Sequence, residues 1–372
     1  LRRFFGLISS TKPNKKTLDI LSKGIGFRNF LHFCDSEGKN IKWNSLRLII
    51  LIEQKEILTQ EDINGLINLK NENIHLFSYF IFQIIIKEKF NLLINIFSNP
   101  EILPEETHKI GEVADSMTQA MRKLSIKSIN ELTSYLNSSY LLRNFLIYHS
   151  VDYNSFYGWY LKIIKSDKIY KNFNDSLFHE LIINTSLFLS GNKINELRKV
   201  PNYMIKKIHP ILLGRYIGLK TINSINDNLI FKNVPKGSEI LFFYEIMTIL
   251  ILTKKFKTMS KIENLYYEQI LTSNGDTFED KISINLIAFS INNLKDNNSK
   301  LANLNLKLIN FEAIVSSYHD FIKLLSCIPS YHIAIMDDNN ESALKILQEY
   351  YELKNKLNFK YFSGKFLKTY FD

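Results

Sequence analysis

Long apolar stretches in this chain come in pairs, each pair joined by a few polar residues. Asn73 to Ile86 leads through Lys87-Glu88-Lys89 into Phe90 to Phe97, and Glu239 to Leu252 leads through Thr253-Lys254-Lys255 into Phe256 to Leu271. The spacing predicts buried helices joined as hairpins. Similar polar turns follow Leu161 to Ile164 (Lys165 to Lys168), Ser186 to Leu189 (Ser190 to Lys193) and Ser290 to Leu294 (Lys295 to Ser299). Near the end, Ala343, Leu344, Leu347, Tyr350, Tyr351 and Leu357 follow a 3.6-residue period, which predicts an amphipathic helix over 343–357. Ser128-x-x-Glu131, Ser260-x-x-Glu263 and Asp338-x-x-Glu341 have the spacing of capping boxes and predict three helix starts.

The interval between turns is irregular. Lys55 to Lys87 is 32 residues, Lys165 to Gly191 is 26 and Lys254 to Lys295 is 41, so any repeat is degenerate. Gly (13) and Pro (7) are scarce for 372 residues. Hairpins and bulges of β proteins draw on those residues, so their scarcity favours an all-α fold, an irregular α-solenoid of helical hairpins. The expected organisation is a basic arm or presequence remnant over 1–18, a helical region over 19–99, a Pro- and Glu-rich linker at 100–106, and a helical-repeat region over 107–372. Thr221 to Ser238, with Asn, Pro and Gly, is a second candidate break.

Charge changes this picture because it is unevenly placed. The chain carries +10. Residues 193–261 hold 13 basic side chains against Glu196, Asp227, Glu239 and Glu245, a balance of +9, while 262–353 carry −7. A positive field of that size on a foldable segment predicts a polyanion-facing surface. An AT-rich gene accounts for the preference of Lys over Arg, but not for where the lysines cluster. Lys199, Tyr203, Lys206, Lys207, Arg215, Lys220, Lys254, Lys255, Phe256 and Lys257 are the candidate RNA-binding residues, combining cations for phosphates with rings for bases. A solvated basic face is the competing explanation. The acidic segment 262–353 is the candidate dock for a protein partner.

Catalytic and cofactor motifs are not evident, and no catalytic residue, metal ligand or cofactor is expected. Gly24-Ile25-Gly26 lacks the third glycine of a dinucleotide loop, and Gly214 to Gly218 lacks the Lys-Ser/Thr of a phosphate loop. His319, Asp320, Cys327 and His332 contain the elements of a thiolate pair or of an incomplete metal site, but Cys327 sits in an apolar run and reads as core. Glu105, Glu106, His108 and Glu112 read as a solvated helix start. Two cysteines, Cys34 and Cys327, give no disulfide framework, which points to a non-secretory setting. No run reaches the roughly 20 apolar residues that span a bilayer. Residues 1–18 carry Arg2, Arg3, Lys12, Lys15 and Lys16 with no acid, the pattern of a mitochondrial presequence.

With hairpins such as Ile74 to Phe97 and Leu241 to Leu271 on a basic chain with such a start, the sequence resembles the fungal mitochondrial gene-expression factors built from divergent pentatricopeptide-like (PPR/TPR-like) helical repeats. The likeness spans residues 45 to 355 and matches no diagnostic motif. It implies a non-catalytic mitochondrial RNA-binding factor supporting stability, processing or translation of organellar transcripts, in the matrix or peripheral to the inner membrane. The partner would be a single-stranded transcript or ribosomal RNA. Because the register of the repeats is irregular, the resemblance assigns no base-reading residue. The alternative is a helical interaction scaffold, associated with the mitochondrial ribosome or with respiratory-complex assembly.

Overall fold

The helix formed by Glu239–Leu252 has no wet face: Phe242 to Leu252 are all buried. A helix apolar on every side must be wrapped by others, and its neighbours organise the larger part of the chain. The computed structural model describes residues 15–24, 28–29, 41–104, 107–139, 141–142, 151–166, 173–222, 228–271 and 279–372. These are mostly helical, and no strand occurs among them, so the fold class is all-α. Residues 1–14 of the presequence-like arm lie outside the described residues, as do Glu105, Glu106 and the turn expected after Ser166.

Two units divide the chain, Leu1–Phe80 and Ile81–Asp372. The boundary falls inside a helix, Ile74–Ile86, and the Pro-rich stretch contributes one short turn, Pro100–Ile102, to the second unit. The first unit contains α1 (Lys15–Gly24), α2 (Ile41–Glu53), α3 (Gln60–Glu72) and the start of α4 (Ile74–Ile86). Thr59 caps α3 in a capping box with Asp62, whose carboxylate also holds Lys55 Nζ at 2.6 Å. α2 packs on α3, with Gly65 facing Leu48.

The second unit begins with α5 (Phe90–Ile96), α6 (Thr107–Met121) and α7 (Ile126–Ser138), and continues through α8 (Leu161–Ser166) and α9 (Phe173–Leu189). After the short α10 (Asn202–Ile205) come α11 (Pro210–Thr221), α12 (Asn228–Lys232), α13 (Glu239–Leu252), α14 (Phe256–Leu271), α15 (Glu279–Lys295) and α16 (Ser299–Lys307). α17 (His319–Met336), α18 (Asn340–Leu357) and α19 (Gly364–Lys368) complete it.

α11, α13, α15 and α17 lie side by side and run the same way. Gly214 of α11 abuts Phe242 and Glu245, while Gly218 abuts Ile246 and Ile249. The numbers rise together, which fixes α11 and α13 as parallel. Tyr244 near the start of α13 meets Lys281 near the start of α15 (5.5 Å) and Tyr318 at the start of α17 (5.6 Å). α9 packs beside α11 and finishes at the same end as α13, since Tyr361 reaches both Leu189 O and Leu252 O. α14, α16 and α18 return antiparallel on the outside, as Phe243 on Tyr266, Ser290 on Ala302 and Asp320 on Lys356 show.

One turn geometry joins these pairs. At Lys254, Asn297 and Asp338 the backbone is left-handed; each donates its N–H to the carbonyl three residues back, and the next residue donates to the carbonyl five back. That closes the end of the incoming helix and launches the next. The turns are 43 and 41 residues apart in the chain. Glu88 makes the same turn between α4 and α5, and Gly191 makes it after α9.

Three starts read from the sequence are displaced. Ser125, not Ser128, caps α7, and Ser128 Oγ donates to Glu88 at 2.7 Å instead. Ser260 lies inside α14. Asp338 takes the left-handed position, so Asn339 caps α18. The helix expected over 343–357 is present as α18. The turn at Ser190 to Lys193 leads not to a helix but to a segment without regular secondary structure.

Contacts also close over long distances. Arg122 pairs with Asp152 and bonds Ser316, Asp115 accepts from Ser316 at 3.1 Å, and Tyr153 stacks on Phe321 at 4.2 Å. At the other end, residues 359–372 lie across the helix ends: Tyr370 OH donates to Ile251 O (2.5 Å), Tyr361 OH to Leu252 O (2.6 Å), and His332 Nε2 meets Leu367 O (2.8 Å). The last carbonyls of a helix have no partner within it, and these side chains supply one for α13.

Candidate nucleic-acid interface

From Gly191 the chain runs back along α9 without regular secondary structure. Asn195 N–H donates to Asn184 Oδ1 (2.6 Å) and Arg198 N–H to Glu180 Oε1 (2.7 Å), while the Arg198 guanidinium pairs with the same carboxylate. Tyr216 of α11 fastens the next stretch: its hydroxyl accepts from Val200 N–H at 3.2 Å and donates to Arg198 O at 3.0 Å. Leu197 and Val200 turn inward, and Lys193 and Lys199 turn outward. α10 then carries Tyr203, whose ring is 73% exposed, and exposed Lys206 and Lys207 follow it directly. Four of the ten candidate residues, Lys199, Tyr203, Lys206 and Lys207, are thereby presented on one anchored segment.

The other six are placed differently. Lys220 lies over the Tyr216 ring (4.5 Å to its centroid) at the finishing end of α11. Lys254 occupies the left-handed turn; its Nζ donates to Thr369 O at 2.5 Å and faces the Tyr370 ring. Its partial burial beneath that segment, with Lys295 nearby, lowers its pKa. Phe256 stacks on Phe371 (5.7 Å) with Lys295 over its ring, so its face is taken by protein. Lys255 is partly buried and Lys257 exposed. α11 has 12 residues, and at 1.5 Å per residue it separates Lys206 and Lys207 from the Lys254 turn by about 18 Å.

Arg215 is a correction to the surface set. It is 1% exposed, and its guanidinium is held by Glu245 through two hydrogen bonds of 2.6 and 2.9 Å. Burial pulls its pKa down, but Glu245 outweighs this, and the net direction is up. The pair crosses the α11–α13 contact that Gly214 and Gly218 bring close. A charge at the middle of an apolar helix was the available signal: Arg215 and Glu245 each interrupt such a run. At the N-cap of α11, burial and the charge on Lys281 lower the pKa of His209 to about 4, leaving it neutral near pH 7.

The thiolate constellation does not assemble. Cys327 is buried, and burial pushes its thiol up to about 12. Asp320 contacts His319 and Lys356, while His332 sits 12 positions beyond Asp320 on α17, at Leu367 O. Among the described residues, no group of three or more His, Cys, Asp or Glu side chains could hold a metal ion, and no helix is long and apolar enough to cross a membrane. No family model, curated protein or solved structure matches the chain.

Proposed function

We propose that this chain is a non-catalytic RNA-binding protein that holds single-stranded RNA along the segment from Lys193 to Lys207. The observation that carries the reading is Tyr203, an exposed ring flanked by exposed Lys199, Lys206 and Lys207 on a backbone tied to α9 and α11. Rings that stack bases beside cations that neutralise phosphates are how single strands are bound without a catalytic centre. A backbone already anchored by hydrogen bonds lowers the ordering cost of such binding. The recurrence of one turn at 254, 297 and 338 supports reading the stacked pairs as an irregular solenoid. A mitochondrial setting, with organellar transcripts as the RNA, is part of the same proposal and follows from the resemblance to divergent pentatricopeptide-like factors.

Fluorescence anisotropy with a 20-nucleotide oligouridylate tests this. Three phosphates neutralised by Lys199, Lys206 and Lys207 predict a roughly 20-fold loss of affinity between 50 and 200 mM salt. Charge reversal at Lys206 and Lys207 should flatten that slope, and Tyr203→Ala should weaken binding while leaving the slope intact. Affinity independent of salt, or unchanged in all three variants, would falsify the reading.

A further inference from the structure

The outer helices α14 and α16 flank α15 and leave a groove of about 570 Å³ between them, lined among others by Glu263, Leu265, Glu268, Leu301 and Asn305. Two of its lining residues are exposed leucines, Leu265 at 53% and Leu301 at 41%. Leu304 and the C-cap residue Leu308 follow Leu301 at spacings of three and four and are 57% and 58% exposed. Leucines repeating at helical spacing on the outside of a folded unit form an interaction stripe, not a core.

Charge says what would cover it. Glu263 is partly buried in the groove, and its carboxylate accepts an amide hydrogen from Asn292 Nδ2 at 2.7 Å. Among the described residues no basic side chain lines the groove. Burial and the nearby Asp296 push the Glu263 pKa up, against the opposing pull of Asn292, as expected for a carboxylate without a counter-ion. A half-buried anion in this state gains from an incoming cation more than a solvated one does.

We propose that the α14–α16 groove docks a basic amphipathic helix of a protein partner, placing its apolar face on Leu265, Leu301 and Leu304 and a Lys or Arg against Glu263. α16 has nine residues, so the groove matches a helix of about two and a half turns. The site is separate from the Lys193–Lys207 segment, and the inference does not rest on the RNA reading.

The probe is a phage-displayed library of random 16-residue peptides, selected on the full chain and read by anisotropy of the recovered peptides. The expected result is enrichment of Leu, Ile or Phe at three- and four-residue spacing with an interposed Lys or Arg. Glu263→Gln, which keeps an acceptor for Asn292, should weaken the recovered peptides about tenfold. Leu301→Asp and Leu304→Asp, both at exposed positions, should abolish binding while the circular dichroism of the chain is unchanged. Recovery of acidic or motif-free peptides, or binding indifferent to these substitutions, overturns the proposal. So does a dimer in analytical ultracentrifugation that Leu301→Asp dissociates, because the occupant would then be a second copy of the chain.

Discussion

At Gly214 an added β-carbon would press into the carbonyl oxygen of Phe242, and at Gly218 it would lie 3.1 Å from Ile249 Cγ1. Four residues apart, the two glycines share one helix face and let α11 approach α13 closely. The same closeness buries Arg215 and Glu245 together. Removing one member takes the counter-charge from the other in a buried site, so Arg215→Met should cost about 3–5 kcal/mol. Adding Glu245→Leu to it should recover most of that loss, because Arg215 Nη1 is already buried without a hydrogen-bond partner and an apolar pair leaves no such atom. Urea denaturation of the two single variants and the double variant measures the coupling, and simple additivity would mean that the pair is not the source of the loss. The sequence held both glycines and both charges in plain view. Counting Arg215 with the surface lysines treated charge as if it were always solvated, although its place within an apolar run, matched by Glu245 in another run 30 residues on, pointed to a buried pair.

Among elements, the helices were more legible than their junctions. Apolar runs long enough to be helices located α13, α14 and α18 because burial sets their length. The turns were read as polar punctuation, with no way to see that one residue in each is left-handed. That geometry explains how a glycine-poor chain makes so many hairpins: Glu88, Lys254, Asn297 and Asp338 take the position that glycine usually fills. It also explains the displaced cap at α18, since a residue used to end one helix cannot start the next. Asn tolerates the left-handed region better than branched residues do. Asn297→Val should therefore cost about 1–2 kcal/mol, and Asn297→Gly should be nearly neutral. Thermal unfolding distinguishes them, and equal losses in both would place the effect in the Asn side chain.

For the molecule as a whole, regional charge pointed to 193–261, but the fold distributes those cations over two ends and an interior. Lys254 and Phe256 are engaged by residues 359–372, a segment with no sequence feature that links it to them. Contacts between residues more than a hundred positions apart leave no local trace in a single sequence, and the pairing of Arg122 with Asp152 and Ser316 was equally hidden. Tyr370→Phe removes one hydrogen bond from the buried Ile251 carbonyl and should cost about 1–2 kcal/mol. Hydrogen exchange should show the finishing turn of α13 opening more readily in that variant, while α2 and α3 in the first unit exchange as before. Faster exchange confined to residues 359–372 would mean that the segment does not steady the helix ends.

The crossing of residues 359–372 over α9 and α13 also sets a timetable. A chain emerging from the ribosome can pair neighbouring helices as they appear, but Leu189 O and Leu252 O are bonded by Tyr361, and Ile251 O gains its second donor from Tyr370. Between Leu252 and Tyr361 the ribosome must make more than a hundred further residues, including the whole acidic stretch 262–353. At about 5–20 residues per second this is an interval of roughly 5–20 s. Through that interval the carbonyls of Leu189 and Leu252 are left to water, or to whatever chaperone meets them first.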